Sequence, residues 1–357
     1  MRPPAPPATA LPLQLLFAML GAAAAPSGPA TLLPPPTPAS QVGAVQGLLG
    51  RVLPTHIAAL FELAIDPAVP PGLGGTDGSV AYFSLSNAAG GIAVTASGGV
   101  ELASGCHYYL KFHTNTSFSW FGDNLANLPP AGHPLPALPA SDSLVVRYTD
   151  DAIRFGYNDC FYAYSSMWWD WARWERELDF LALLGINTFG VQLDGNNDAA
   201  MFELFASPKF GNLSAAELAP LWQGPTAIWS GDPGPEDHPV DFAWIDSHRL
   251  LQQQIVNRAR ALGMTTVFKA WDGTVPPAFK RRFPAAQVQC HFGNAAPHFT
   301  CQLPSFDPMF ASIAEDYLRV LHRLYGMDHG ALSVRDVDNL GHQQLLQLSL
   351  SMSCLLT

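Results

Sequence analysis

Ser166-Met167-Trp168-Trp169-Asp170-Trp171-Ala172-Arg173-Trp174-Glu175-Arg176-Glu177-Leu178-Asp179-Phe180-Leu181-Ala182-Leu183-Leu184-Gly185-Ile186-Asn187 packs four tryptophans into the seven positions 168–174. Trp171, Trp174, Leu178 and Leu181 recur at spacings of three and four, which predicts a helix with one apolar face and makes Trp171 and Trp174 core residues rather than ligand-stacking ones. Asp170 stands where an N-cap belongs and Gly185 where a helix stops. Ile153–Tyr157 reads as a strand before this helix, and Asn187–Leu193 as a short strand after it. Strand, helix, strand is the unit of a parallel sheet. Glu175, Glu177 and Asp179 read as a solvated or salt-bridged helix face, because helix bodies in βα barrels lie outside the reaction face; they are not a catalytic dyad.

Downstream the unit repeats. Trp244 to Leu262 is a second helix stopped by Gly263, Thr265 to Lys269 a third strand, and Asp307-Pro308 opens a third long helix running to Gly326. The stretch between Leu193 and Trp244 reads as irregular. An eight-stranded βα barrel takes about 250 residues, whereas three units already fill the span from 150 to 327 of this 357-residue chain. The expectation is an incomplete barrel over residues 148–329. The tail 330–357 lacks βα grammar and reads as a truncated or misspliced frame.

Upstream, residues 41–147 read as a small α/β or α+β domain. It has a helix over Gln41–Leu53, strands through Phe61, Leu63 and Ile65 and through Ile92, Val94 and Ala96, and a helix over Val100–Phe112. The tract Pro129 to Pro139 reads as a connector approaching the domain boundary. Residues 26–40 are a Pro-rich lead-in. Residues 1–61 hold no acidic side chain, and after Arg2 an apolar run from Leu11 to Ala25 ends in small residues before Pro26. That order predicts a secretory signal over residues 1–25, with a Pro/Ala-rich transit peptide as the competing reading.

No later stretch is long and apolar enough to span a bilayer, so no membrane association is expected after signal cleavage. A net charge of −11 argues against a nucleic-acid partner. Asn115-Thr116-Ser117 and Asn212-Leu213-Ser214 are glycosylation sequons at Asn115 and Asn212. Of the five cysteines, 106, 160, 290, 301 and 354, none is spaced for zinc. Cys290 and Cys301 fit a disulfide in an oxidising lumen, and five reduced, buried cysteines are the alternative.

Several segments carry a resemblance. They are Tyr157-Asn158-Asp159-Cys160 followed by 165–187, then Gly224-Pro225, Ala261-Leu262-Gly263-Met264-Thr265, Arg282-Phe283-Pro284, Asp307-Pro308, and Tyr325-Gly326 with Asp328-His329. In order and spacing, residues 41–329 resemble the α-N-acetylglucosaminidase family of lysosomal glycoside hydrolases. The resemblance implies removal of terminal α-linked N-acetylglucosamine from glycans such as heparan sulfate, with retention of configuration. That outcome needs two carboxyl groups about 5–5.5 Å apart and no metal or organic cofactor.

The family's acid/base glutamate lies in an Asn-Glu pair just after the Tyr-Gly…Asp-His segment, where this chain reads Gly330 to Leu340, and no glutamate follows Glu315. The nucleophile lies further along in the family, so no catalytic residue is assigned. The resemblance places Asn158 and Cys160 in the glucosamine pocket, while their own chemistry also suits a turn residue and a small buried filler. Trp229 is a candidate sugar-stacking residue or ordinary packing. The family's Gly-His-Val-Pro is here Gly273-Thr274-Val275-Pro276, and Asp272 before it is a candidate pocket residue or a solvated turn carboxylate.

The function expected is that of an α-N-acetylglucosaminidase-like hydrolase whose partner is an N-acetylglucosamine-terminated glycan. The location expected is the secretory route, lysosome or vacuole, or outside the cell. This chain alone is expected to be inactive. The rival expectation is a non-catalytic fragment or weak glycan binder.

Overall fold

A computed structural model describes residues 34–70, 73, 80–139, 143–147, 152–156, 166–190, 198–222, 240–268, 270–292 and 299–326. The expected signal segment, Asn158, Cys160, Trp229 and the tail 330–357 lie outside these residues.

The first helix starts earlier than the sequence suggests. Helix α1 (Pro38–Val52) is entered through a capping box in which Thr37 and Ser40 satisfy each other's backbone N–H groups, with Pro38 in the first turn. A short helix α2 (Thr55–Ala58) leads into β1 (Phe61–Ile65). Strands β2 (Tyr82–Ala88) and β3 (Gly91–Ala96) then form a hairpin. Ile92, Val94 and Ala96 are buried on β3 while Ala93 and Thr95 between them are less so, as the two-residue period requires. Helix α3 (Gly99–His113) packs across this sheet, close enough that a Cβ on Gly105 would lie 2.9 Å from Val94 and 3.0 Å from Phe83. A small hairpin, β4 (Phe118–Ser119) and β5 (Gly122–Asp123), follows.

Strand β6 (Ser143–Arg147) closes the sheet in the order β1-β3-β2-β6, with β1 parallel to β3 and the remaining pairs antiparallel. The proline tract is therefore internal to the domain. Tyr109 donates its hydroxyl to Pro136 O at 2.5 Å, Leu138 N donates to Asn87 Oδ1 at 2.8 Å, and Leu135 and Leu138 are buried.

The second half is a parallel sheet with helices around it. β7 (Phe155–Gly156), α4 (Trp171–Leu183) and β8 (Thr188–Gly190) form the first unit. Asp170 caps α4, accepting from Arg173 N at 2.9 Å, and Gly185 turns out of it at φ 82°. Next come α5 (Asp198–Ala206), α6 (Ala215–Leu218), α7 (Phe242–Ala261) and β9 (Thr265–Val267). The order β7-β8-β9 is parallel throughout, Phe189 standing between Gly156 and Thr266. Among the described residues the strands do not close into a barrel, in keeping with an incomplete one.

Two features differ from the sequence reading. The stretch read as irregular contains α5, which is mostly apolar and buried through Ala200, Met201, Leu204 and Phe205, with Glu203 exposed. After β9 the chain leaves the parallel pattern for a three-stranded antiparallel sheet. It consists of β10 (Thr274–Val275), β11 (Gln289–Phe292) and β12 (Phe299–Gln302) in the order β10-β12-β11, with α8 (Pro277–Arg282) between β10 and β11. Helix α9 (Phe310–Tyr325) then packs on α5 and α7 and ends at Gly326, φ 61°.

The two halves meet at α3 on α4. Trp174, Leu178 and Leu181 of α4 are buried as expected, and Trp171 is partly buried against the same core. Of the two expected forms of the acidic face of α4, solvated or salt-bridged, the structure shows the salt-bridged one, with Glu177 and Asp179 buried. The N-terminal domain covers that face. Arg51 from α1 grips Asp179 with Nε at 2.7 Å and Nη2 at 2.9 Å, and Arg258 from α7 reaches the same carboxylate at 2.8 Å.

Candidate functional site

In a parallel βα sheet each helix runs back from the C-terminal ends of the strands, so the heads of α4 and α7 lie on the same side as the ends of β7, β8 and β9. This is the side on which such folds place their chemistry. Gly156 ends β7 in a tight place: a Cβ would come within 3.0 Å of Ile186. Asn158 and Cys160, which follow it, are outside the described residues, as is Trp229.

Asp272 is described. It lies five residues beyond Val267, where β9 ends, and is half-buried. Its Oδ1 accepts from Thr274 N at 3.0 Å and Thr274 Oγ1 at 2.7 Å, so the carboxylate organises the turn into β10. Gly273 within that turn has φ 95°, and a Cβ there would stand 2.6 Å from Leu303 O, so only glycine fits. Trp271 beside it is buried, donating Nε1–H to Thr274 O at 2.8 Å and lying 4.8 Å from Phe310.

The described glutamates have other work. Glu101 pairs with Arg154, Glu203 with Arg323, and Glu315 with Arg319. Glu217 caps α6 and faces Arg282. Glu175 lies 3.7 Å from Arg51, and Glu62 is exposed on β1. Glu177 accepts from the Trp120 indole at 3.1 Å and meets Arg173 at 2.7 Å. Burial pushes its carboxyl up to about 7, against the lowering effect of the indole hydrogen bond. Among the described residues, no pair of glutamates stands at the strand ends, and no three His, Cys, Asp or Glu side chains come together to hold a metal ion.

The other candidates are also placed. Asn115 and Asn212 are both exposed, in left-handed backbone at φ 53° and 50°. Cys290 and Cys301 face each other across β11 and β12 and are bonded. Cys106 is a buried free thiol whose titration is pushed far up by burial. No described helix is long and apolar enough to cross a membrane.

Sequence reasoning missed an aromatic surface at the helix heads. Trp168 is 64% exposed and meets Trp244 edge-to-face at 5.0 Å, while Trp244 stacks on His248 at 3.9 Å. Trp120, at the β4–β5 turn, lies 5.9 Å from Trp169, and Arg173 sits over the Trp169 ring at 3.8 Å. Trp168 stands before the N-cap, off the helical period, so its exposure carries no signal in the spacing.

Residues 154–334 match the Alpha-N-acetylglucosaminidase (NAGLU) tim-barrel domain and residues 43–137 the corresponding N-terminal domain. Over 300 residues the chain is 33% identical to the alpha-N-acetylglucosaminidase of Homo sapiens, covering 82% of this chain and 38% of that protein. A Family 89 Glycoside Hydrolase from Clostridium perfringens, solved with 2-acetamido-1,2-dideoxynojirmycin, superposes with a TM-score of 0.67 at 22% identity, over 81% of this chain and 32% of that one. A second structure of the C. perfringens enzyme, holding its substrate GlcNAc-alpha-1,4-galactose, gives 0.66 at 22% identity, over 81% and 31%. This chain thus spans a little over a third of the human relative's length. With both domain matches in chain order and the parallel sheet where they require it, the chain belongs to the alpha-N-acetylglucosaminidase family.

Proposed function

We propose that this chain supplies the sugar-recognising part of an α-N-acetylglucosaminidase site. It binds the terminal α-linked N-acetylglucosamine of a glycan at the C-terminal rim of β7, β8 and β9, without catalysing hydrolysis on its own. The observation that carries this reading is the family match over both domains, taken with the commitment of every described glutamate to an ion pair, a cap or an exposed strand face. Retaining hydrolysis needs one carboxylate to attack the anomeric carbon and a second to protonate the leaving oxygen and then activate water. General acid catalysis alone contributes about 10²–10⁴-fold, so losing both groups removes enzymatic turnover. Asn158, Cys160 and Trp229 are the binding residues in this reading, and Asp272 borders the pocket through its turn. The chain enters the secretory route, where Asn115 and Asn212 receive glycans.

The test uses the purified 1–357 chain with a chromogenic α-N-acetylglucosaminide and, separately, with free N-acetylglucosamine by calorimetry. Expected are binding weakened by Asn158→Ala and no turnover. Robust turnover that disappears in Asp272→Asn would make Asp272 catalytic and overturn the assignment.

A further inference from the structure

Both sequons, Asn115-Thr116-Ser117 and Asn212-Leu213-Ser214, follow a phenylalanine, and the fold treats the two phenylalanines in opposite ways. Phe112, three positions before Asn115, stands in the last turn of α3 and is 58% exposed. Phe210, two positions before Asn212, is 2% exposed and meets Phe205 edge-to-face at 6.3 Å, closed to anything attached outside. The asparagines themselves are alike, each exposed and in left-handed backbone. A single exposed ring is ordinary on a protein surface. What singles out Phe112 is the asparagine beside it and the fixed turn that presents that asparagine.

Thr114 N and Thr116 N both donate to Leu110 O, at 3.2 and 2.9 Å, and close the end of α3. Asn124 and Asn127 donate from Nδ2 to Asn115 O at 2.6 and 2.7 Å, and Ser117 N donates to Asn124 Oδ1 at 2.6 Å. Thr116 between them is fully buried. The Asn115 side chain therefore leaves a well-tied turn. Phe112 is braced as well, with the Tyr108 ring 4.6 Å away and Lys111 Nζ at 5.4 Å. Residues three apart around a helical turn are neighbours, about 5–6 Å between Cβ atoms. Asn115 directly follows the turn closed on Leu110, so a sugar on its Nδ2 starts within reach of the Phe112 ring.

The chemistry is complementary. The face of an aromatic ring carries partial negative charge, and a pyranose offers it a face of C–H bonds while keeping its hydroxyl groups in water. A braced ring and a sugar tethered one turn away lose little freedom on meeting. We infer that the first N-acetylglucosamine of a glycan on Asn115 stacks on Phe112 and stabilises the fold. This rests on the proposed glycosylation of Asn115 and Asn212 in the secretory route.

The experiment makes the 1–357 chain in a secreting eukaryotic host and reads occupancy at both asparagines by mass spectrometry. Urea denaturation then compares the chain with Ser117→Ala, which abolishes the sequon and leaves Asn115 in place, with Phe112→Ala, and with the two combined. The expected result is a folding equilibrium constant about threefold to tenfold lower in Ser117→Ala, the scale of one ring contact. In the Phe112→Ala background the same change costs less than about twofold, and in a Phe112→Tyr background it keeps its full size. Equal losses from Ser117→Ala with and without the Phe112 ring, or no loss although Asn115 is occupied, overturn the stack. If Asn212 carries a glycan and Asn115 none, the stack falls and the secretory reading stands. If neither carries one, both fall.

Discussion

Glu177 has no exposed side-chain surface and still carries an acidic group, so folding moves its titration. Burial raises its folded-state value to about 7, above the roughly 4.3 of a free glutamate. Folding therefore favours its protonated form. The stability it contributes is fully present below the unfolded value and is lost as pH rises through 7, an effect on the order of 3 kcal/mol. Burial moves Asp179 the same way, to about 6, with Glu175 adding to the rise and Arg51 opposing it. His107 and His248, held below the usual imidazole range by burial, act in the other direction and lose their contribution as pH falls. Glu177→Gln separates these effects, because the amide keeps an oxygen for the Trp120 indole and has no charge to bury. The variant's melting temperature should gain on that of the unaltered chain between about pH 5 and about pH 8. Parallel melting curves across that range would mean that Glu177 is ionised without cost in the fold.

At the scale of elements, α4 shows what local sequence encodes. Its cap, apolar stripe and stop are contiguous, and Asp170→Ala should lower stability by about 1 kcal/mol through the lost hydrogen bond to Arg173 N. Urea denaturation measures this, and a change below a few tenths would show that the cap is redundant with packing from α3 and α7. The helices α7 and α9 are legible for the same reason, each closed by a glycine at positive φ, Gly263 and Gly326. Strand β2 is less legible because its alternation, Phe83-Ser84-Leu85-Ser86, covers only four positions between buried Tyr82 and exposed Asn87. Helix α5 hides because Glu203 is the one polar side chain described in a run that is otherwise apolar, too little to mark a helical period. The sheet β10-β12-β11 joins Thr274 to Gln302 across 28 positions, a pairing no local window contains. The candidate site divides similarly. Asp272 is readable as a strand-end residue and Asp-Gly-Thr as its turn, whereas the aromatic surface depends on how the β4–β5 hairpin meets the head of α4.

On the scale of the whole molecule, the acidic face of α4, readable as solvated or salt-bridged, is salt-bridged and forms part of the joint between two domains. Asp179 receives Arg51 from the N-terminal domain and Arg258 from the barrel side, and its side chain is only 2% exposed. Within the N-terminal domain Gln41 ties α1 to α3 by accepting from Gly99 N at 2.7 Å, beside the turn at Gly263. His107 lies 2.9 Å from Leu183 O. Replacing a buried ion group with a well-packed apolar one is often neutral, but removing one member leaves the others desolvated and uncompensated, at a cost of about 3–5 kcal/mol. Asp179→Ala strands the largely buried Arg258, while Arg51, a third exposed, keeps Glu175 at 3.7 Å, so it should destabilise the chain toward the lower end of that range and uncouple the domains. Hydrogen exchange followed by mass spectrometry reads both effects. In the unaltered chain the amides of α1, α3 and α4 should exchange through a common opening. In Asp179→Ala, α1 and α4 should open at separate free energies, while the core of the β1-β3-β2-β6 sheet keeps more of its protection than β7 to β9. Independent exchange of α1 and α4 already in the unaltered chain would make the arginine–aspartate joint incidental to folding. A loss below about 1 kcal/mol in the variant would lead to the same conclusion.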